Sequence, residues 1–443
     1  MRFPVSWTHV RRSLPDALVT AADWQRRAAT LVGAVLIGLA ALGFAWAGDR
    51  AQHLFLAMQA ARPWTHLVVT PAMFVAIAAL TLRFAPEIRG SGIPQVIAAA
   101  RHPDDAGSGV LVSLKAAFAK VGLTIAALFG GAAVGREGPT VQLAAALMVQ
   151  VHNWLRVPLS AGVLIAGGAA GVAAAFNTPL AGIAFAIEEL AVAYEQRVAV
   201  LVMGAVMIAG LTAQGIAGQY VYFGELSSAV RIPTVLVAAP LAGIVGGVLG
   251  GLFSRALIAL RGPGGRWSAL LAKRPVLTAL GCGVAVGAIG WATGGATAGT
   301  GYGPTETLLG GGGGAYWFGP AKFASALATS VSGIPGGIFA PSLAVGAGFG
   351  DLLTPLFAPD EAGLIVLMGM AGYFTGVVRA PLTAVIILSE ATGTSHAILP
   401  LFATALIGDW VGAMVCRDRL YHRLAQGFAP PPPPVAFPRT AGS

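Results

Sequence analysis

The stretch Gly135-Arg136-Glu137-Gly138-Pro139 sets a carboxylate between glycines and a proline inside a long apolar region. Ala117 to Val134 before it carry only Lys120 as a charge, and Thr140 to Val151 after it carry none. An acidic side chain at the centre of a bilayer costs about 3 kcal/mol on insertion scales, so Glu137 is a poor choice for a merely structural helix. The glycines let backbone turn and approach a ligand closely, and Pro139 suits the first turn of a helix whose free N–H groups point at an anion. A glutamate standing where that anion would sit makes an anion site with its own competing plug. The same residues also fit an Arg136–Glu137 pair that neutralises a loop at a membrane surface.

Two further stretches carry related chemistry. Gly90-Ser91-Gly92-Ile93-Pro94 again combines glycine backbone, one hydrogen-bonding side chain and a proline near a helix start, a pattern that an ordinary Gly-rich turn also satisfies. An offset of 202 residues lays Gly135 to Pro139 on Gly337-Ile338-Phe339-Ala340-Pro341, Thr178-Pro179-Leu180 on Ala380-Pro381-Leu382, and Glu188 on Glu390. Two motifs sharing one offset mark an internal repeat. A scaffold role should be filled in both copies, whereas chemistry needs only one. Glu188 and Glu390 therefore read as structural, capping or pairing near a helix end. Glu137, matched by Phe339, and Glu189, matched by Ala391, are the candidates for asymmetric chemistry. Asn177 against Arg379 carries no reading at this stage.

The elements that must hold these residues are membrane helices. Of 443 residues 56% are hydrophobic and 10% charged, against about a quarter charged in soluble domains. The mean hydropathy is +0.76. Leu31 to Gly48, Ser160 to Ile187, Val198 to Gly218 and Gly363 to Leu388 approach or exceed the roughly 20 residues that span a hydrocarbon core. This favours helices over barrel strands, and ten or more helical segments are expected. The net charge of +9 comes from Lys and Arg scattered through loops and tails, which fits positive-inside bias and not a nucleic-acid face. Arg2, Arg11, Arg12, Arg26 and Arg27 precede the first span and Arg417, Arg419 and Arg423 follow the last, so both tails are expected in the cytoplasm. Ala45-Trp46-Ala47 mimics a signal-peptide cleavage site, but the apolar run before it is too long for one, so the first span reads as an uncleaved helix.

The chain divides into a cytoplasmic lead (1–28) with amphipathic character from Pro15 through Trp24, a transmembrane region (29–425) in halves of about 29–225 and 226–425, and a Pro-rich tail (426–443). Ser254 to Arg274 reads as a basic cytoplasmic loop, and Gly310 to Gly314 as a flexible turn, with no Lys-Ser/Thr pair after it to make a phosphate loop. Cys282 and Cys416 lie in apolar runs and give no disulfide framework. Repeated membrane halves with Gly/Pro-interrupted helices bind their substrate near the midplane between them.

The three ordered motifs, at Gly90 to Pro94, Gly135 to Pro139 and Gly336 to Pro341, resemble the CLC family of chloride channels and proton-coupled chloride exchangers, over about residues 29 to 425. The resemblance implies an all-α integral membrane protein with two inverted repeats of many tilted and broken helices. It further implies a homodimer in the cell membrane, with an anion pathway in each subunit. On it, Ser91 and Tyr421 supply hydroxyls to a central anion, and backbone amides at Gly138, Ile338 and Phe339 complete the shell. Glu137 corresponds to the gating glutamate, and Glu189 to the internal proton-transfer glutamate of exchangers, which channels lack. Tandem nucleotide-sensing domains do not follow the membrane part, so nucleotide regulation is not implied.

Chloride/proton exchange is thus the leading function, with passive, gated chloride conduction through the same site as the alternative. Helix dipoles and hydroxyls hold chloride without the tight grip of a fixed lysine, and conduction needs that weakness. Lys120 either raises the local potential, or reaches the interface or pairs with a carboxylate. A membrane enzyme using Glu137 and Glu189 as acid and base lacks a His-Glu-x-x-His cluster or a nucleophile elbow. His66, His152, His396 and His422 are scattered and read as ordinary interfacial or core histidines. Neither a metal nor a cofactor is called for.

Overall fold

The computed structural model describes residues 21–103, 106–190, 196–218, 223, 224, 226 and 230–428. Most of the N-terminal lead, the amphipathic residues 15–20 included, lies outside them, as does the tail from residue 429 with its stub at Pro430 to Pro434. Among the described residues the secondary structure is helical, apart from one β-bridge between Gly135 and Gly337. Eight helices are long and apolar enough to cross a membrane, from Trp24–Ala61 to Ile398–Val415. The first outruns its expected span: Ala21–Ala61 is one helix of 41 residues, about 60 Å long at 1.5 Å per residue. It exceeds the hydrocarbon core of a bilayer. Large apolar side chains such as Trp46, Val200, Leu236, Leu399 and Leu406 are exposed on the outer faces, where lipid is their natural solvent.

Two of the expected spans are not single helices. Ser160 to Ile187 breaks into Ala161–Phe176, Pro179–Phe185 and a π-turn, Ala186–Leu190. Gly363 to Leu388 breaks into Ala362–Val378 and Pro381–Ala391. The break falls at the same place in each copy, at a left-handed C-cap: Asn177 with φ 59° and Arg379 with φ 65°. Hydropathy is blind to one left-handed residue. The proline two positions on cannot continue a helix and marks the stop. Arg379 is held in this unfavourable conformation by Asp409, whose carboxylate accepts from Nε at 2.6 Å.

The short helices after the breaks cap each other. Glu390 accepts from the backbone N–H groups of Leu180 (3.3 Å) and Ala181 (3.0 Å). Glu188 accepts from those of Leu382 (2.9 Å) and Thr383 (2.7 Å) and from the Thr383 hydroxyl. The paired glutamates of the repeat thus satisfy helix donors that would otherwise be orphaned. Small residues let the second half close tightly: a Cβ on Gly250 of Ile232–Arg261 would stand 2.6 Å from the Tyr373 carbonyl of Ala362–Val378.

The basic stretch Ser254 to Arg274 is mostly helix and not loop, completing Ile232–Arg261 and forming Arg266–Lys273. Its charges misled because Arg255 sits on the exposed face while Phe253 and Leu257 are buried.

Candidate functional site

Four helix starts meet at the centre. Gly135 and Gly337 bond to each other through both their N–H and C=O groups at 2.8 Å, which sets the first turns of Glu137–Trp154 and Phe339–Asp351 against one another. Ile93–Arg101 joins them through Gly92, at φ 113°, where a Cβ would stand 2.5 Å from the Gly138 carbonyl. Only glycine tolerates both that dihedral and that approach. The fourth helix, Tyr302–Leu309, follows Gly301 at φ 86°. The first N–H groups of a helix have no intrahelical acceptor, so their donors and the dipoles behind them gather here.

Ser91, Gly138, Ile338, Phe339 and Tyr421 are brought together. The Ser91 hydroxyl lies against Gly138, and Ser91, Ile338 and Tyr421 line one vestibule of about 190 Å³, whose wall also carries Arg89 and Arg261. The Phe339 ring stacks on Tyr421 at 6.1 Å. Ser91 and Tyr421 are buried, and neither hydroxyl meets hydrogen-bond geometry with another described residue. Buried donors without acceptors are costly. Two hydroxyls of this kind have the chemistry to donate to an acceptor between them.

Glu137 is 1% exposed. Its Oε2 accepts from the Ala340 N–H at 3.4 Å and its Oε1 from the Tyr302 hydroxyl. The carboxylate is therefore seated in the first turn of the other half's helix, as an anion would be. Arg136 is also buried. It turns to Asp49 at 2.7 Å and to the Ala45 carbonyl at 2.8 Å, so a neutralised surface loop does not describe this stretch.

Glu189 lies elsewhere, in the π-turn, fully buried with both carboxylate oxygens unbonded within the described protein. Such turns often occur at functional sites. His422 Nε2 stands 3.7 Å from Glu189 Oε1, and Arg101 Nη2 lies 2.6 Å from His422 Nδ1. Because the guanidinium can only donate, Nδ1 is the acceptor and the ring proton sits on Nε2, facing the glutamate. His422 thus lies between Arg101 and Glu189. Tyr421 and His422 are consecutive, one turned to the vestibule and the other to Glu189.

Sequence reasoning missed Tyr302, Asp49 and Lys322. A signal for Tyr302 existed: Gly299-Thr300-Gly301-Tyr302-Gly303-Pro304 resembles Gly90-Ser91-Gly92-Ile93-Pro94, but at an offset of 209 and not 202. Lys120 is fully buried with no hydrogen-bond partner within the described protein, so it does not reach the interface. Among the described residues no group of three or more His, Cys, Asp or Glu is placed to hold a metal.

A broken-helix membrane fold with helix starts converging on a buried carboxylate has the donor set of an anion-transport protein. The profile of the family described as voltage gated chloride channel matches residues 72–413, and the chain belongs to that family. It is 32% identical over 387 residues to an H(+)/Cl(-) exchange transporter ClcA of Vibrio cholerae serotype O1, covering 78% of this chain and 76% of that protein. It is 32% identical over 428 residues to the ClcA of Yersinia pseudotuberculosis serotype IB, covering 89% and 85%. Its fold is similar to that of a slow cyanobacterial Cl-/H+ antiporter, with TM-score 0.78 and 24% identity over 91% of this chain and 97% of that one. A CLC-type fluoride/proton antiporter gives TM-score 0.76 and 20% identity over 92% and 99%. The chain is a membrane protein of the CLC fold.

Proposed function

We propose that this protein exchanges chloride for protons across the cell membrane, with Ser91, Tyr421 and the amides of Gly138, Ile338 and Phe339 as the chloride site, Glu137 as the gate and Glu189 as the internal proton station. The observation that carries the reading is the seat of the Glu137 carboxylate at the N-terminus of Phe339–Asp351. One seat cannot hold a carboxylate and a chloride together. Protonation removes the charge that binds Glu137 to the helix start, the side chain leaves, and chloride takes its place among partial charges and hydroxyls. Release of the proton brings the carboxylate back and expels the ion. The similarity to proteins named H(+)/Cl(-) exchange transporters supports the choice of ions.

The proton needs its own exit, because amides and hydroxyls offer it no titratable group. Glu189 supplies one, and the consecutive residues Tyr421 and His422 link the two sites, the first on the vestibule wall and the second 3.7 Å from Glu189 Oε1. A passive channel would use Glu137 without a second station. A buried glutamate with a histidine turned to it favours the exchanger. Both termini lie in the cytoplasm on the bias of the flanking arginines, and two copies associate as a homodimer on the family resemblance.

The test is the voltage of zero net chloride flux in proteoliposomes at a fixed chloride gradient. An exchanger's zero-flux voltage moves when a pH gradient is imposed. A channel's stays where the chloride gradient alone puts it.

A further inference from the structure

We propose that Tyr302 is the latch of the gate: its phenol hydroxyl holds the Glu137 carboxylate in its seat, and its release is a step in each opening. This rests on the reading of Glu137 as the gate.

The two oxygens of Glu137 are held by different parts of the second half, Oε2 by the Ala340 N–H and Oε1 by the Tyr302 hydroxyl. The first bond belongs to a helix start that chloride also uses. The second belongs to a side-chain hydroxyl on a different helix, Tyr302–Leu309. A hydrogen bond to a charged acceptor is among the strong ones. A protonated Glu137 forfeits that charge assistance, so the phenol favours the seated, charged gate.

The mounting of Tyr302 argues that its position is built and not incidental. The loop before it repeats the design of the Ser91 loop, two left-handed glycines before a short helix: Gly299 at 61° and Gly301 at 86°, beside Gly90 at 72° and Gly92 at 113°. Each loop is tied across the halves, Gly90 accepting from the Gly336 N–H at 3.2 Å and the Gly299 N–H donating to the Ala132 carbonyl at 3.1 Å. The Tyr302 loop has an additional clamp. The fully buried Lys322 ammonium donates to the carbonyls of Thr297 at 2.9 Å and Gly299 at 2.7 Å, and Gln52 Oε1 accepts from the Thr300 N–H at 3.2 Å. A Cβ on Gly301 would stand 2.6 Å from that of Ala344, so the start of the Tyr302 helix is wedged against Phe339–Asp351. Phe223 packs edge-on against the phenol at 5.7 Å, and the Arg136 guanidinium lies 6.0 Å from its ring centre. One half of the repeat thus presents a hydroxyl to the anion, and the other presents one to the anion's competitor.

The charged and titratable groups around the gate are Arg136 paired with Asp49 on Ala21–Ala61, Lys322 on Phe318–Ser332, and Tyr421 on Leu420–Ala425, with Glu189 beyond. Tyr302→Phe leaves all of them in place. Without the phenol hydrogen the seated carboxylate binds a proton more readily and yields more readily to chloride. The worth of a hydrogen bond to a charged group corresponds to roughly a ten- to hundredfold change in that equilibrium. The curve of chloride flux against pH in proteoliposomes should therefore move toward higher pH by about one to two units, since one unit is tenfold, and flux at pH 7 should rise. In a Glu137→Gln background the same substitution should change neither quantity, a readout that a merely structural tyrosine would not give. Tyr302→Leu removes hydroxyl and ring together and gives a second reading should the phenylalanine protein fail to reconstitute.

An unmoved pH curve in Tyr302→Phe beside an opened Glu137→Gln protein overturns the latch alone. A shift that persists in the Glu137→Gln background does the same. A Glu137→Gln protein with the parent's flux and pH curve overturns the gate, and the latch with it.

Discussion

Gly135 and Gly337 stand 202 positions apart and donate their N–H groups to each other's carbonyls at 2.8 Å. This reciprocal pair fixes two helix starts, one from each half, at a single point. The glutamate of one half can then sit in the first turn of the other half's helix.

Ser91→Pro removes a donor from the anion site while the amides of Ile338 and Phe339 remain. A hydroxyl favours the ion that accepts its hydrogen bond best, so preference should shift from chloride toward a weakly hydrated anion such as nitrate. The ratio of nitrate to chloride flux in proteoliposomes measures this. An unchanged ratio removes Ser91 from the site.

Glu137→Gln carries no charge at any pH and mimics the protonated gate. Chloride should still cross, coupled proton movement should stop, and the dependence of flux on pH should flatten. Proton pumping retained in that protein contradicts the gating role.

Glu390→Ala should cost stability and leave transport alone. It removes the acceptor for two N–H groups at the start of Pro179–Phe185, a loss comparable to that of a helix cap, about 0.5–2 kcal/mol. Thermal unfolding in detergent should begin at lower temperature while the chloride-to-proton ratio of the folded protein holds. Unaltered unfolding would show that the cap contributes nothing.

The three glycine motifs, the repeat and the asymmetric glutamates were legible because each is local or recurs at one offset. Tyr302 was hidden because its loop is shifted by seven residues from the register of the central motifs. The breaks at Asn177 and Arg379 were hidden because a window average of hydropathy cannot detect a single left-handed residue inside an apolar run. His422 and Glu189 meet across more than half the chain, Tyr302 and the glutamate it holds across more than a third of it, and no periodicity encodes such meetings. The basic stretch at Ser254 was misread for a different reason: arginine on the exposed face of a helix and arginine in a loop look alike without the burial pattern.

Chloride-driven proton uptake tests the central claim most directly. Parent and Glu189→Val proteins are placed in liposomes with a chloride gradient, a potassium ionophore clamps the voltage, and external pH is recorded. The parent should move protons uphill. Glu189→Val should keep the chloride flux and the anion preference and move no protons. If the parent moves chloride without protons, or the valine protein pumps as the parent does, the exchange mechanism with Glu189 as its internal proton station is contradicted.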